Sequence, residues 1–69
     1  MKIVLLYQGR EYYPCRVEGT VMPEEVFKEL VKLVGQGEVG GILCNDEDMN
    51  EVWLPSGILQ NSVWRLAAD

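Results

Sequence analysis

The chain has 69 residues, 48% of them hydrophobic, and carries 11 acids against 6 bases for a net charge of −5. That length allows a single domain, and the apolar content is too high for a disordered segment. The charge argues against nucleic acid or an anionic membrane as the main partner, since both would be repelled, and the absence of histidine excludes His-based catalysis and His-containing metal sites.

The opening stretch KIVLLYQ is aliphatic and β-branched over about one strand length, and GR after it signals a turn. EYYPCRVEG then alternates, with Tyr13, Cys15 and Val17 on one face and Tyr12, Pro14, Arg16 and Glu18 on the other. Pro14 has no N–H for a ladder, which predicts an edge position for this strand, or at least for that side of it. Together the two segments predict a β-hairpin. The N-terminal apolar run is too short for a secretory signal, and no run approaches the ~18 apolar residues that span a bilayer, so a cytoplasmic location is expected. Cys15 and Cys44 sit in apolar runs and are expected to be reduced and buried.

PEEVFKELVKLVG reads as the one clear helix. Pro23 suits its first position, and Glu24 and Glu25 suit the positive end of its dipole. Val26, Phe27, Leu30, Val31, Leu33 and Val34 form an apolar stripe, opposite Glu24, Glu25, Lys28, Glu29 and Lys32. Gly35 is the expected stop, with Gly37 close behind.

VGGILCN and EVWLP follow as two short strands joined by an acidic turn. Val52 and Leu54 are expected to face the core, with Trp53 and Glu51 outward. The last segment, ILQNSVWRLAAD, fits a strand with Leu59, Val63 and Ile58 inward, or a helix capped by Ser56 that aligns Leu59, Val63 and Leu66. Asn61, Ser62, Val63 and Trp64 are poor helix formers, which favours the strand. The expected architecture is a single small α+β domain, an antiparallel sheet with one helix packed across it, in the order β-β-α-β-β-β.

The acidic turn places Asp46, Glu47, Asp48 and Glu51 within six residues. Asp46, Asp48 and Asn50 match the first three ligands of a calcium loop. Glu51 stands where that loop needs Gly, and Gly57 where it needs a bidentate Glu. A solvated hairpin tip fits the residues better, because Asn and Asp tolerate turn conformations and clustered acids keep a hairpin from pairing with other sheets. The glycines of GQGEVGG follow a helix and do not join a strand to a helix start, so they do not form a phosphate loop. Cysteine without a histidine partner does not form a nucleophilic pair. No catalytic residue, metal or cofactor is therefore expected.

The aromatic residues point to binding. Trp53 is expected outward beside Glu51, Trp64 on the face opposite Val63, and Tyr12 outward beside Arg16. Exposed Trp, Tyr and Arg carry much of the energy at protein interfaces. The segment ILCNDEDMNEVWLPSG, 16 residues of the chain, resembles a pattern in small phage and mobile-element accessory proteins. In these an aliphatic strand runs into an acidic hairpin tip and a Trp-aliphatic-Pro strand end. The resemblance implies an accessory protein that acts by binding a host protein.

The function expected is non-catalytic protein binding, of a phage-type inhibitor's kind, aimed at a basic, nucleic-acid-handling host protein. Its binding residues are expected to be Trp53, Trp64, Tyr12, Arg16, Glu51, Asp46, Glu47 and Asp48. Two alternatives stay open. One is a structural subunit that forms a homodimer or larger homo-oligomer through the Pro14 edge strand or the Trp face. The other is a small-molecule or metal-binding module.

Overall fold

The computed structural model describes residues 1–15 and 23–68. Its elements in chain order are β1 (Lys2–Tyr7), β2 (Arg10–Pro14), α1 (Pro23–Gly35), β3 (Gly41–Asn45), β4 (Glu51–Pro55), α2 (Ser56–Gln60) and β5 (Val63–Ala67). The five strands form one antiparallel sheet in the order β4-β3-β2-β1-β5. The α+β class and the antiparallel sheet are as the sequence predicts, and a short second helix is added between β4 and β5.

A two-residue turn joins β1 to β2. Gln8 and Gly9 both have positive φ (51° and 78°), the geometry whose twist matches paired strands. This turn sets Leu5 opposite Tyr12. Opposed residues share a face, and Leu5 is fully buried, so Tyr12 faces the core. The outward position expected for Tyr12 is therefore corrected. Its expected neighbour Arg16 lies outside the described residues, as do Val17 and Glu18.

An edge position for the whole strand is corrected, because β2 is the central strand of the sheet, whereas an unpaired side at Pro14 alone is what the register shows. The strand tolerates the missing N–H because it changes partner along its length. Arg10, Glu11 and Tyr12 pair with β1, whereas Tyr13 and Pro14 pair with β3. The Glu11 N–H points to the β3 side, where it donates to Glu47 Oε1 at 3.1 Å. Alternation then turns the Pro14 nitrogen toward β1, just past the last residue paired there.

The core lies between the sheet and the two helices. Ile3, Leu5, Cys44, Leu54, Val34 and Leu59 are buried there, flanked by Val26, Phe27, Leu30, Trp64 and Leu66. Helix α1 presents Val26, Phe27, Leu30 and Val34, while Val31 leaves the predicted stripe and is 41% exposed. The helix ends at Gly35, as expected, and the left-handed residue that closes it off is Gly37. Gly37 takes φ 73°, its N–H donates to Val34 O at 3.0 Å, and the Glu38 N–H donates to Leu33 O at 3.0 Å. This is the Schellman pattern, in which the left-handed residue follows the helix and ties up its last carbonyls.

The short helix α2 begins at Ser56 directly after Pro55, and Ser56 is not its cap. The poor helix formers that follow terminate it. Asn61 Nδ2 donates to Gly57 O at 2.7 Å, Ser62 Oγ to Ile58 O at 2.6 Å, and Trp64 Nε1 to Leu59 O at 3.0 Å. The carbonyls at this helix end thus take side-chain donors, Ile58 O and Leu59 O in addition to the Asn61 and Ser62 N–H groups at 3.1 and 3.3 Å. Among the described residues no helix is long and apolar enough to cross a membrane.

Candidate functional site

The helices cover one sheet face, and alternation assigns the rest of the side chains to the other, outer face. That face carries Trp53 and Glu51 from β4, Leu43 and Asn45 from β3, and Glu11 and Tyr13 from β2. It also carries Lys2, Val4 and Leu6 from β1 and Val63 and Arg65 from β5.

One half of this face is closed by polar contacts. Arg65 reaches across β1 and its guanidinium donates to Glu11 Oε2 at 3.0 Å. The Lys2 ammonium stands 5.2 Å from the centre of the Tyr13 ring. Val4, on the same face, is only 1% exposed. Burial, followed by the nearby Glu11 carboxylate, raises the Tyr13 phenol above its ordinary pKa. Glu11, Tyr13, Lys2 and Arg65 were not singled out in the sequence. Their grouping depends on the strand order β2-β1-β5, which no local pattern carries.

The other half centres on Trp53, which is 61% exposed on the edge strand β4. Its indole is held over Gly41, diagonally across from it on β3. A Cβ on Gly41 would meet the ring, with Nε1 at 2.7 Å. The missing side chain is therefore what seats one face of the indole on the backbone and leaves the other outward. Here the predicted orientation of β4 holds: Leu54 is buried, Val52 packs against the core, and Trp53 and Glu51 face out.

The acidic turn is the hairpin tip, and its four acids do different work. Asp46 Oδ1 accepts the N–H of Asp48 and of Asn50, each at 2.9 Å. Its carboxylate is therefore turned into the loop. Glu47 is exposed and receives the Glu11 N–H, bridging the tip to β2. Asp48 and Glu51 are exposed, and their carboxylates accept no hydrogen bond and form no ion pair among the described residues. Glu51 is thus a free carboxylate on the same strand face as Trp53, and Asp48 a free one in the tip.

Trp64 is corrected. It faces the core, packs edge-to-face on Phe27 at a centroid distance of 6.4 Å, and donates to Leu59 O. Val63, expected inward, is 61% exposed. The reason is register: Leu5 opposes Trp64 and Ile3 opposes Leu66, which puts the even-numbered residues of β5 on the core face. The structure thus keeps Trp53 and Glu51 on the outer face and Glu47 and Asp48 exposed in the tip, and it takes Trp64 and Tyr12 to the core face.

The cysteines also differ from one another. Cys44 is fully buried, and burial, followed by the nearby Cys15, pushes its thiol up to about 12. Cys15 is half-buried, so its expected full burial is corrected.

Comparison of the chain with protein-family models, with curated proteins and with solved structures finds no match.

Proposed function

We propose that this chain is a non-catalytic protein-binding domain of the cytoplasm. It takes a basic surface of a nucleic-acid-handling protein against the outer face around Trp53. In line with the phage-type resemblance, it inhibits that protein by covering the surface. The observation that carries this reading is the exposed indole of Trp53, seated on Gly41 at the sheet edge. An exposed, immobilised tryptophan supplies binding energy with little ordering cost, and such residues are concentrated at interface hot spots. The net charge of −5 and the unpaired Asp48 and Glu51 supply attraction for a basic surface.

The test uses purified basic nucleic-acid-handling proteins and follows association at low and high salt. Binding should be fast at low salt and slow as ionic strength rises. Trp53→Ala should weaken it by about 2 kcal/mol or more. Salt-independent binding that ignores the substitution would reject the reading.

The homo-oligomer remains the second reading, now through β5 and not through Pro14. β5 is an edge strand with Val63 exposed, so it offers a surface to a second copy. A dimer mass in solution that is lost with Val63→Lys would favour it.

A further inference from the structure

We infer that the partner segment recognised at Trp53 is an extended strand that adds to the free edge of β4, alternating arginine with aliphatic residues. This inference rests on the basic-partner reading and specifies how that partner is held.

The hydrogen-bonding parity of β4 follows from two bonds that flank it. The Asp46 N–H donates to Asn50 O at 2.9 Å, and the Ser56 N–H donates to Gly40 O at 3.0 Å. Both belong to the register that sets Cys44 opposite Val52 and Ile42 opposite Leu54. In an antiparallel ladder bonded and non-bonded pairs alternate. Val52 and Leu54 therefore bond to β3, and the N–H and C=O groups of Glu51 and Trp53 point away from it. Among the described residues no strand lies on that side. The next residue of the same parity is Pro55, which has no N–H to offer, so the ladder available is short.

The side chains around this edge state what would fit. A residue bonded opposite Trp53 or Glu51 places its own side chain on the outer face. There it meets the free face of the indole and the unpaired Glu51 carboxylate. A guanidinium suits both, since it stacks on an indole and pairs with a carboxylate. The residues between lie on the helix side next to Val52, which is half-buried, and an aliphatic side chain would complete its burial. A long hydrophobic strand is discouraged by Glu51 and Pro55, and a second copy of this chain by the charge of −5 on each molecule.

Backbone methylation separates edge pairing from charge attraction. Two short peptides alternating Val and Arg are compared, one N-methylated at every Val and the other at every Arg. They have the same composition and charge. Only the second loses the N–H groups that would face β4. With the intact, isotope-labelled protein, the Val-methylated peptide should shift the Trp53 indole signal. It should also slow amide exchange at Glu51 and Trp53 about tenfold or more, and bind about tenfold tighter than its Arg-methylated twin. Equal binding of the two peptides would overturn edge pairing and leave the basic-partner reading standing, as would binding that leaves the Glu51 and Trp53 amides unprotected. If neither peptide binds while purified basic proteins still do, edge pairing falls alone. If neither peptides nor basic proteins bind, both fall together.

Discussion

Trp53 rests on a glycine and Trp64 on a phenylalanine, so the same substitution should act very differently at the two. Trp53→Ala removes a mostly exposed ring and should change stability by less than about 1 kcal/mol. Trp64→Ala opens the core and takes one of two donors from the Leu59 carbonyl, and should cost about 3–5 kcal/mol. Thermal melts of the two variants check both statements. Gly41→Ala is more selective. The new Cβ strikes the indole, and that exposed ring can swing away without disturbing the core. The variant should melt close to the parent while its Trp53 indole signal moves, and it should bind partners as poorly as Trp53→Ala. An unmoved indole signal would show that Gly41 does not seat the ring.

At the scale of an element, the β3–β4 hairpin combines one strained residue and one internal brace. The Met49 N–H donates to Asp46 O at 3.1 Å, and Met49 adopts φ 65° at a position that hairpins usually give to Gly. Met49→Gly should relieve this and stabilise the domain by about 1 kcal/mol in denaturant unfolding. Asp46 acts through its acceptor oxygen. Asp46→Asn keeps an oxygen there and should be nearly neutral, whereas Asp46→Ala strips two N–H groups of their partner and should cost about 1 kcal/mol. An equal loss from both variants would mean that the charge, and not the loop bonding, matters.

The whole molecule is a two-layer slab of 27 × 27 × 18 Å, with its helices on one side of the sheet. So thin a core makes single buried groups count. The folded Cys44 thiol keeps its proton up to about 12, against an ordinary value of 9.0 in the unfolded chain. Below the lower value both states are protonated, and the full stability is present. Above it the unfolded chain releases a proton that the folded one retains. Stability should then fall as pH rises from 9 toward 12, by at most about 1.4 kcal/mol per pH unit. Tyr13, shifted in the same direction, adds to the fall. Melting curves across this range test the sign. In the folded protein at neutral pH, Cys44 should react with thiol reagents far more slowly than the half-buried Cys15.

The sequence by itself determined the α+β class, the two hairpins, the helix beginning at Pro23 and the orientation of β4. In each case the signal is local. Strand alternation, helical periodicity and turn residues act over a few positions, and nothing distant opposes them. Tertiary structure decided the phases of β2 and β5, because Tyr12, Tyr13, Val63 and Trp64 can each face either way. Their choice follows from the strands beside them: Leu5 opposite both Tyr12 and Trp64 draws those two inward. It also decided that Pro14 lies mid-sheet while Pro55 ends an edge strand, since a missing N–H marks an edge only when no change of partner accommodates it. The candidate site was half legible for the same reason. Trp53 and its acids lie within one hairpin. The glycine beneath the indole is paired through the register, and the bare outer face exists because both helices pack on the other side.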